Sequence, residues 1–313
     1  MESMFWQLLL VFSAATFAQG KWNTTKFLFT FGDSYTTDGF NISAGVDSPV
    51  PGFTSSNGQN WVQFLGGTYN ITNTKVFDLA SGGATIDAAL VAPFEPTVLH
   101  RAASFFASSI VDQVGQFNKI LASKPVGAEW NASNSLFAFW IGINDVGNSF
   151  GWTNVTSQRD FHRILMNRLF GQVDSLIEHG ARQFLFLTVP PTNRAPLLID
   201  QGHKVVASIT GALADYNNQL VTNVKSLPLR HRGVTASVFD TRPIFNTLLD
   251  NADTFGFVNS TGFCEAYQNG TPDINTQIPP CAPVSSYFWL NSLHPVFTVH
   301  NILAKALATF LSS

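Results

Sequence analysis

Five short, largely apolar runs, each stopping at a polar turn, constrain this chain more than any other feature. They fall at residues 27–31, 76–80, 135–141, 183–189 and 234–240. Short apolar runs without polar alternation are strands buried on both faces, which belong to parallel sheets with helices packed against each side. Between the runs lie stripes at helical spacing. Val111, Val114, Phe117, Ile120 and Leu121 make one; Phe161, Leu165, Leu169, Val173 and Leu176, with Ile164 and Ile177 beside them, make another that Gly180 stops. Further helices are expected over 205–224 and 299–311, and a short one over 60–65 with Trp61, Phe64 and Leu65 on one face. Strand and helix in alternation predict an α/β fold with a mostly parallel central sheet. No linker or internal repeat interrupts residues 19–313, which are expected to form a single domain.

Hydrophobic residues are 45% of the chain and charged residues 12%, a balance that excludes disorder. The net charge is -3 with no basic cluster, which argues against a nucleic-acid partner. Residues 5–18 are apolar but too few for a comfortable membrane span. With small residues at Thr16 and Ala18 they read as a signal peptide over 1–18, although residues 1–4 lack a positive side chain; a retained anchor is the alternative. Secretion also fits the sequons at Asn23, Asn41, Asn70, Asn131, Asn154, Asn259 and Asn269. The two cysteines, Cys264 and Cys281, pair in an oxidising compartment or remain buried thiols in a reducing one. Lying seventeen apart with no nearby histidine pair, they do not make a zinc site. No metal or cofactor is expected. The expected product is an extracellular protein, taken as a monomer, without stable membrane association.

The turns that end these runs carry the chemistry. The first run breaks at Gly32-Asp33-Ser34, lifting a hydroxyl out of the sheet where a nucleophile is accessible. The second ends in Gly82 and Gly83, whose missing side chains let the backbone approach a ligand. Residues 142–147 form a polar turn containing Asn144 after the third run, and His294 lies in a polar loop near the C-terminus. Residues 36–52 read as a surface loop walling the site, and 251–283 as a cysteine-stapled one. Functional groups of a parallel sheet collect at the carboxyl ends of its strands, so Ser34, Gly83, Asn144 and His294 are expected to meet at one edge. A serine, an imidazole and oxyanion donors suffice for acyl transfer.

These residues stand in four blocks that resemble the SGNH/GDSL hydrolase family: Gly32-Asp33-Ser34, residues 78–83, Gly142-Ile143-Asn144-Asp145 and Leu293-His294-Pro295. The resemblance implies a three-layer αβα, flavodoxin-like fold. It implies Ser34 as nucleophile, His294 as base, and the Ser34 amide, the Gly83 amide and the Asn144 side chain as the oxyanion hole, the block register favouring Gly83 over Gly82. Residues 31–41 and 289–295 resemble secreted fungal enzymes of carbohydrate esterase family 16, which implies removal of acetyl groups from hemicellulose-derived sugars. Phe239-Asp240-Thr241-Arg242 and Phe255-Gly256-Phe257 also echo the wider GDSL esterases and lipases, so a lipase or broad carboxylesterase is the alternative, and a non-catalytic carbohydrate-binding homologue a further one.

One position departs from the family. Where an aspartate usually stands three residues before the histidine, this chain has Asn291. An amide oxygen still accepts Nδ1–H and selects the tautomer, but it offers no full charge to an imidazolium. Asn291 or a backbone carbonyl is expected to orient His294. His300 is expected to be structural, Asp33 and Asp145 to serve turn hydrogen bonding, and His100, His162, His179, His203 and His231 to lie outside the site. Trp140, Tyr287, Phe288 and Trp289 suit either core packing or sugar stacking.

Overall fold

A computed structural model describes residues 22–52, 54–93 and 108–313; the signal peptide expected over 1–18, and His100, lie outside them. All five runs become strands: β1 (Phe27–Gly32), β2 (Lys75–Asp78), β3 (Ser135–Trp140), β4 (Gln183–Leu187) and β5 (Thr235–Phe239). They pair in the order β2-β1-β3-β4-β5, every pair parallel. This is the flavodoxin-like order, in which the chain leaves β1 for one side and returns to the other at β3. The crevice that forms at such a reversal opens at the carboxyl ends of β1 and β3.

Phenylalanines at alternate positions hold the sheet together. Phe29 lies beside Phe77 and Phe137 in register, with ring centroids 5.3 and 4.8 Å apart. One step further along, Phe31 stacks on Phe139 at 4.7 Å and Phe139 on Phe186 at 5.2 Å. These spacings match the separation of neighbouring strands, so each ring covers its cross-strand partner.

Among the described residues the α-helices are α1 (Trp61–Gln63), α2 (Ile110–Ile120), α3 (Ile143–Ser149), α4 (Gln158–Glu178), α5 (Pro196–Ile199), α6 (His203–Arg230), α7 (Arg242–Asp250) and α8 (Phe297–Ser312). Phe117 of α2 and Phe170 of α4 cover the phenylalanine ladder. Trp140, of opposite parity on β3, faces the other layer: its ring meets Trp61 of α1, Phe245 of α7 and His300 of α8. The result is the expected three layers.

Three helices replace expected turns or featureless stretches. Residues 142–147 are not simply a turn; α3 begins at Ile143 directly after Gly142, whose φ of 121° few other residues adopt. Four-residue α5 and nine-residue α7 each start with proline in the first turn, where its missing N–H costs nothing. Residues 36–52 are also less superficial than expected, because Thr36, Asp38 and Ile42 are buried. Cys264 and Cys281 form a disulfide. Asn23, Asn41, Asn131, Asn154 and Asn269 are exposed, whereas Asn70 and Asn259 are half-buried.

Candidate active site

β1 delivers Ser34 to the crevice through a tightly tied turn. The Asp33 carbonyl accepts the N–H groups of Thr36 and Thr37 at 3.0 Å, and Asp33 Oδ1 accepts that of Tyr35 at 3.0 Å. Gly32 is gripped by a side chain from α2: its N–H donates to Gln113 Oε1 at 3.0 Å, and Gln113 Nε2 donates back to its carbonyl at 2.8 Å. A side chain on Gly32 would strike the Trp140 carbonyl, 2.5 Å from an ideal Cβ, so the nucleophile turn packs on β3 only as glycine.

His294 arrives from the far end of the chain on a small closed loop. Leu290 N–H donates to the His294 carbonyl at 2.8 Å, and Val296 N–H to the Phe288 carbonyl at 3.0 Å. Inside it Asn291 Oδ1 accepts three hydrogens, from Leu293 N at 3.1 Å, His294 N at 2.9 Å and His294 Nδ1 at 3.0 Å. The two backbone donors fix which end of the amide faces inward, since only its oxygen accepts. Nδ1 therefore carries the proton, and Nε2, 2.8 Å from Ser34 Oγ, is left as acceptor for the serine hydroxyl. Of the two orienting groups expected from the sequence, Asn291 is the one brought to the ring.

The oxyanion candidates meet Ser34 from two other loops. Gly83 has a φ of 76° in the turn closed by Ala84 N–H on the Ser81 carbonyl. Asn144, at the start of α3, uses one Nδ2 hydrogen on the Ala84 carbonyl at 2.8 Å, which leaves the other to point elsewhere. Among the described residues the N–H groups of Ser34 and Gly83 donate to no protein acceptor. Ser34, Gly83, Asn144 and His294 line one hollow of about 570 Å³, walled further by Ile143, Phe150, Leu197, Leu198 and Ile209.

Burial sets the charges. Desolvation pushes the His294 imidazole down to about 4, and the uncharged amide of Asn291 offers nothing to offset it. His300, buried on α8, accepts the Trp61 N–H at its Nδ1 and is pushed down to about 3 by burial and by its nearness to His294. It has the structural place expected of it. Beneath the serine turn, burial raises the Asp33 carboxyl to about 7 against the Tyr35 N–H, with Asp145 pushing the same way. Asp145 is raised to about 7 by burial, opposed by the Ile86 N–H it accepts at 3.0 Å. Both aspartates do hold turns, as expected, but Asp145 holds one in another block of sequence. Trp140, Phe288 and Trp289 are core residues. Among the described residues no group of three or more His, Cys, Asp or Glu side chains is placed to hold a metal ion.

Two residues had no expected role. Gln113 shows in the sequence only as a polar residue within an apolar helical stripe. Tyr35, whose Oη donates to the Leu293 carbonyl, had no signal beyond its place after the serine.

An imidazole acceptor on a serine hydroxyl, at the carboxyl edge of a parallel sheet and beside unused N–H donors, is the arrangement of a serine acyl hydrolase. The family model described as GDSL-like Lipase/Acylhydrolase matches residues 28–307, and the chain belongs to that family. It is 36% identical over 294 residues to an acetylesterase of Thermothelomyces thermophilus, covering 91% of this chain and 88% of that protein. An acetylesterase of Hypocrea jecorina is 28% identical over 183 residues, 52% of this chain and 47% of the relative. Among solved structures, the acetylxylan esterase Axe2 from Geobacillus stearothermophilus aligns with a TM-score of 0.49 at 12% identity, covering 94% of this chain and 97% of that one.

Proposed function

We propose that this chain is a secreted acetylesterase that removes acetyl groups from carbohydrate esters through an acyl-enzyme. The observation that carries the reading is the line from Asn291 Oδ1 through the His294 ring to Ser34 Oγ, with contacts of 3.0 and 2.8 Å. Ser34 Oγ attacks the acetyl carbonyl while its proton passes to His294 Nε2. The oxyanion that forms takes hydrogen bonds from the Ser34 and Gly83 N–H groups and the free Nδ2 hydrogen of Asn144. The ester C–O bond then breaks, and the departing alkoxide receives the proton held on Nε2. Water, deprotonated by the same nitrogen, attacks the acyl-enzyme; the bond from the acyl carbon to Ser34 Oγ breaks, acetate leaves, and Oγ takes back the proton held on Nε2. Asn291 keeps Nδ1 protonated throughout, so only Nε2 exchanges protons.

The acetyl preference draws on the Thermothelomyces relative, which is named for that activity. Secretion draws on the apolar leader and the sequons. The exposed sequons at Asn23, Asn41, Asn131 and Asn154 are accessible for glycosylation. Purified protein held in chelator is expected to hydrolyse a short-chain aryl acetate, to be labelled at Ser34 by an organophosphonate, and to lose both properties in Ser34→Ala. Retained activity in that variant removes the mechanism; absent labelling of the wild type favours the non-catalytic homologue.

The apolar wall of Ile143, Phe150, Leu197, Leu198 and Ile209 favours a second reading, a lipase or broad carboxylesterase using the same machinery. A series of aryl esters of increasing acyl length decides between them, since preference for long chains displaces the acetylesterase.

A further inference from the structure

The hollow that holds Ser34 is not the only space that reaches His294. A second cleft, of about 700 Å³, meets the imidazole from another side, between residues 54–58 and residues 268–274. Ser55, Asn291 and His294 line both spaces, so the two adjoin at the proposed base. Ser34, Gly83 and Asn144 line only the first. The geometry points to a division of labour resting on the acetylesterase reading: the second cleft is the leaving-group subsite, and it takes a neutral polyhydroxylated ring, a sugar.

The chemistry of alcohol departure decides the side. The leaving oxygen takes its proton from His294 Nε2, so the alcohol lies against the imidazole, whereas the carbonyl oxygen lies against the oxyanion donors. The second cleft touches the first of these and none of the second. Its lining then selects the alcohol. Thr54, Ser55, Asn57, Gln268, Asn269 and Thr271 bring hydroxyls and amides, while Asp273 is the one charged side chain and no lysine or arginine lines it among the described residues. Such a surface offers no cation to a phosphate or carboxylate, and it pairs donors with acceptors as a sugar's hydroxyls require. Ser55, Gln268 and Asn269 make no side-chain hydrogen bond to the protein among the described residues, so their polar atoms are uncommitted.

The cleft is also held open in one shape. Asn57 Nδ2 donates to Thr271 Oγ1 at 2.8 Å and Thr271 N–H donates to Asn57 Oδ1 at 2.6 Å, joining the two walls. Behind the second wall, the Cys264–Cys281 disulfide closes the segment, and Tyr267 Oη accepts the Ile278 N–H at 3.0 Å and donates to the Ala282 carbonyl at 2.7 Å. A preformed cleft loses little ordering entropy when a ligand enters.

The test compares acetylated xylo- and manno-oligosaccharides with aryl acetate, and uses the deacetylated oligosaccharides as inhibitors of aryl acetate hydrolysis. Wild type is expected to be competitively inhibited by a deacetylated sugar. Gln268→Ala is expected to weaken that inhibition about tenfold, the scale of one lost hydrogen bond. Gln268→Trp, which fills the cleft from an exposed position, is expected to abolish it and to lower kcat/KM for the acetylated sugar far more than for aryl acetate. An enzyme active on aryl acetate but insensitive to sugars in both arms overturns the subsite alone. The same holds if Gln268→Trp leaves the ratio of sugar to aryl activity unchanged. An enzyme inert towards aryl acetate overturns the acetylesterase reading, and the subsite falls with it.

Discussion

Tyr35 Oη donates to the Leu293 carbonyl at 2.5 Å, so the residue after the proposed nucleophile is tied to the residue before the proposed base. The link spans 258 positions of sequence and joins the β1 turn to the histidine loop. The Tyr35 ring also lies 5.6 Å from that of His294, giving the imidazole a wall as well as a tether. Tyr35→Phe keeps the wall and removes the tether. A net hydrogen bond is worth roughly 0.5–1.5 kcal/mol, so kcat for an aryl acetate is expected to fall about two- to tenfold with KM little changed. A purely structural role would lower the melting temperature and leave kcat intact, and that result defeats the assignment.

Asn291 invites a test by pH. His294 must be neutral to accept the serine proton, and burial holds it down at about 4, so the acid limb of wild-type kcat/KM is expected well below the ordinary histidine value of 6.5. Asn291→Asp places a negative charge against Nδ1, stabilises the imidazolium and raises that pKa. The acid limb is then expected to move to higher pH, costing activity near pH 5. Asn291→Ala removes the acceptor that selects the tautomer, and its kcat is expected to fall toward the 10²–10⁴-fold that positioned proton transfer supplies. Superimposable profiles for all three proteins remove Asn291 from the mechanism.

The strands were legible because burial on both faces leaves little room for polar residues: 135–141 contains one serine and otherwise only apolar side chains. The turns after them were legible too, since glycine, serine and asparagine interrupt such runs abruptly. What escaped reading depends on contacts between distant segments. Gln113 reaches Gly32 across 81 positions and Asp145 reaches Ile86 across 59, and neither spacing leaves a local periodicity. The short helices α5 and α7 each carry a proline in the first turn that reads equally well as a turn. Asn291 was visible as a departure from the family pattern, but the two backbone N–H groups that fix its amide belong to the folded loop.

Asn144 separates binding from catalysis. One of its Nδ2 hydrogens is already spent on the Ala84 carbonyl, so the remaining one has its direction set before substrate arrives. A donor aimed at developing charge acts mainly in the transition state. Asn144→Ala is expected to lower kcat about 10²–10³-fold while KM changes little, as loss of one oxyanion donor generally does. Steady-state kinetics on an aryl acetate checks this, and a change confined to KM assigns Asn144 to ground-state binding instead.

Asp145 should make stability depend on pH in a direction its burial dictates. Its folded pKa of about 7 exceeds the ordinary value of 3.8, so the native state holds a proton that the unfolded chain has released across that window. The contribution to stability is fully present below about 3.8 and is lost as pH rises through about 7, at up to about 1.36 kcal/mol per pH unit for one proton. Asp145→Asn carries a permanently neutral group of the same shape that still accepts the Ile86 N–H. Its melting temperature is therefore expected to gain on wild type as pH is raised from about 4.5 to 7, with the gap levelling above that. His294 and His300, both depressed, lose stability in the opposite direction as pH falls, but they are present in both proteins and largely cancel in the difference. Removing Asp145 also relieves the charge that helps to raise Asp33, which adds to the gap with the same sign. A gap that stays constant from about pH 4.5 to 7.5 means that Asp145 is ionised in the native state and that the layer beneath Ser34 is better solvated than its burial implies.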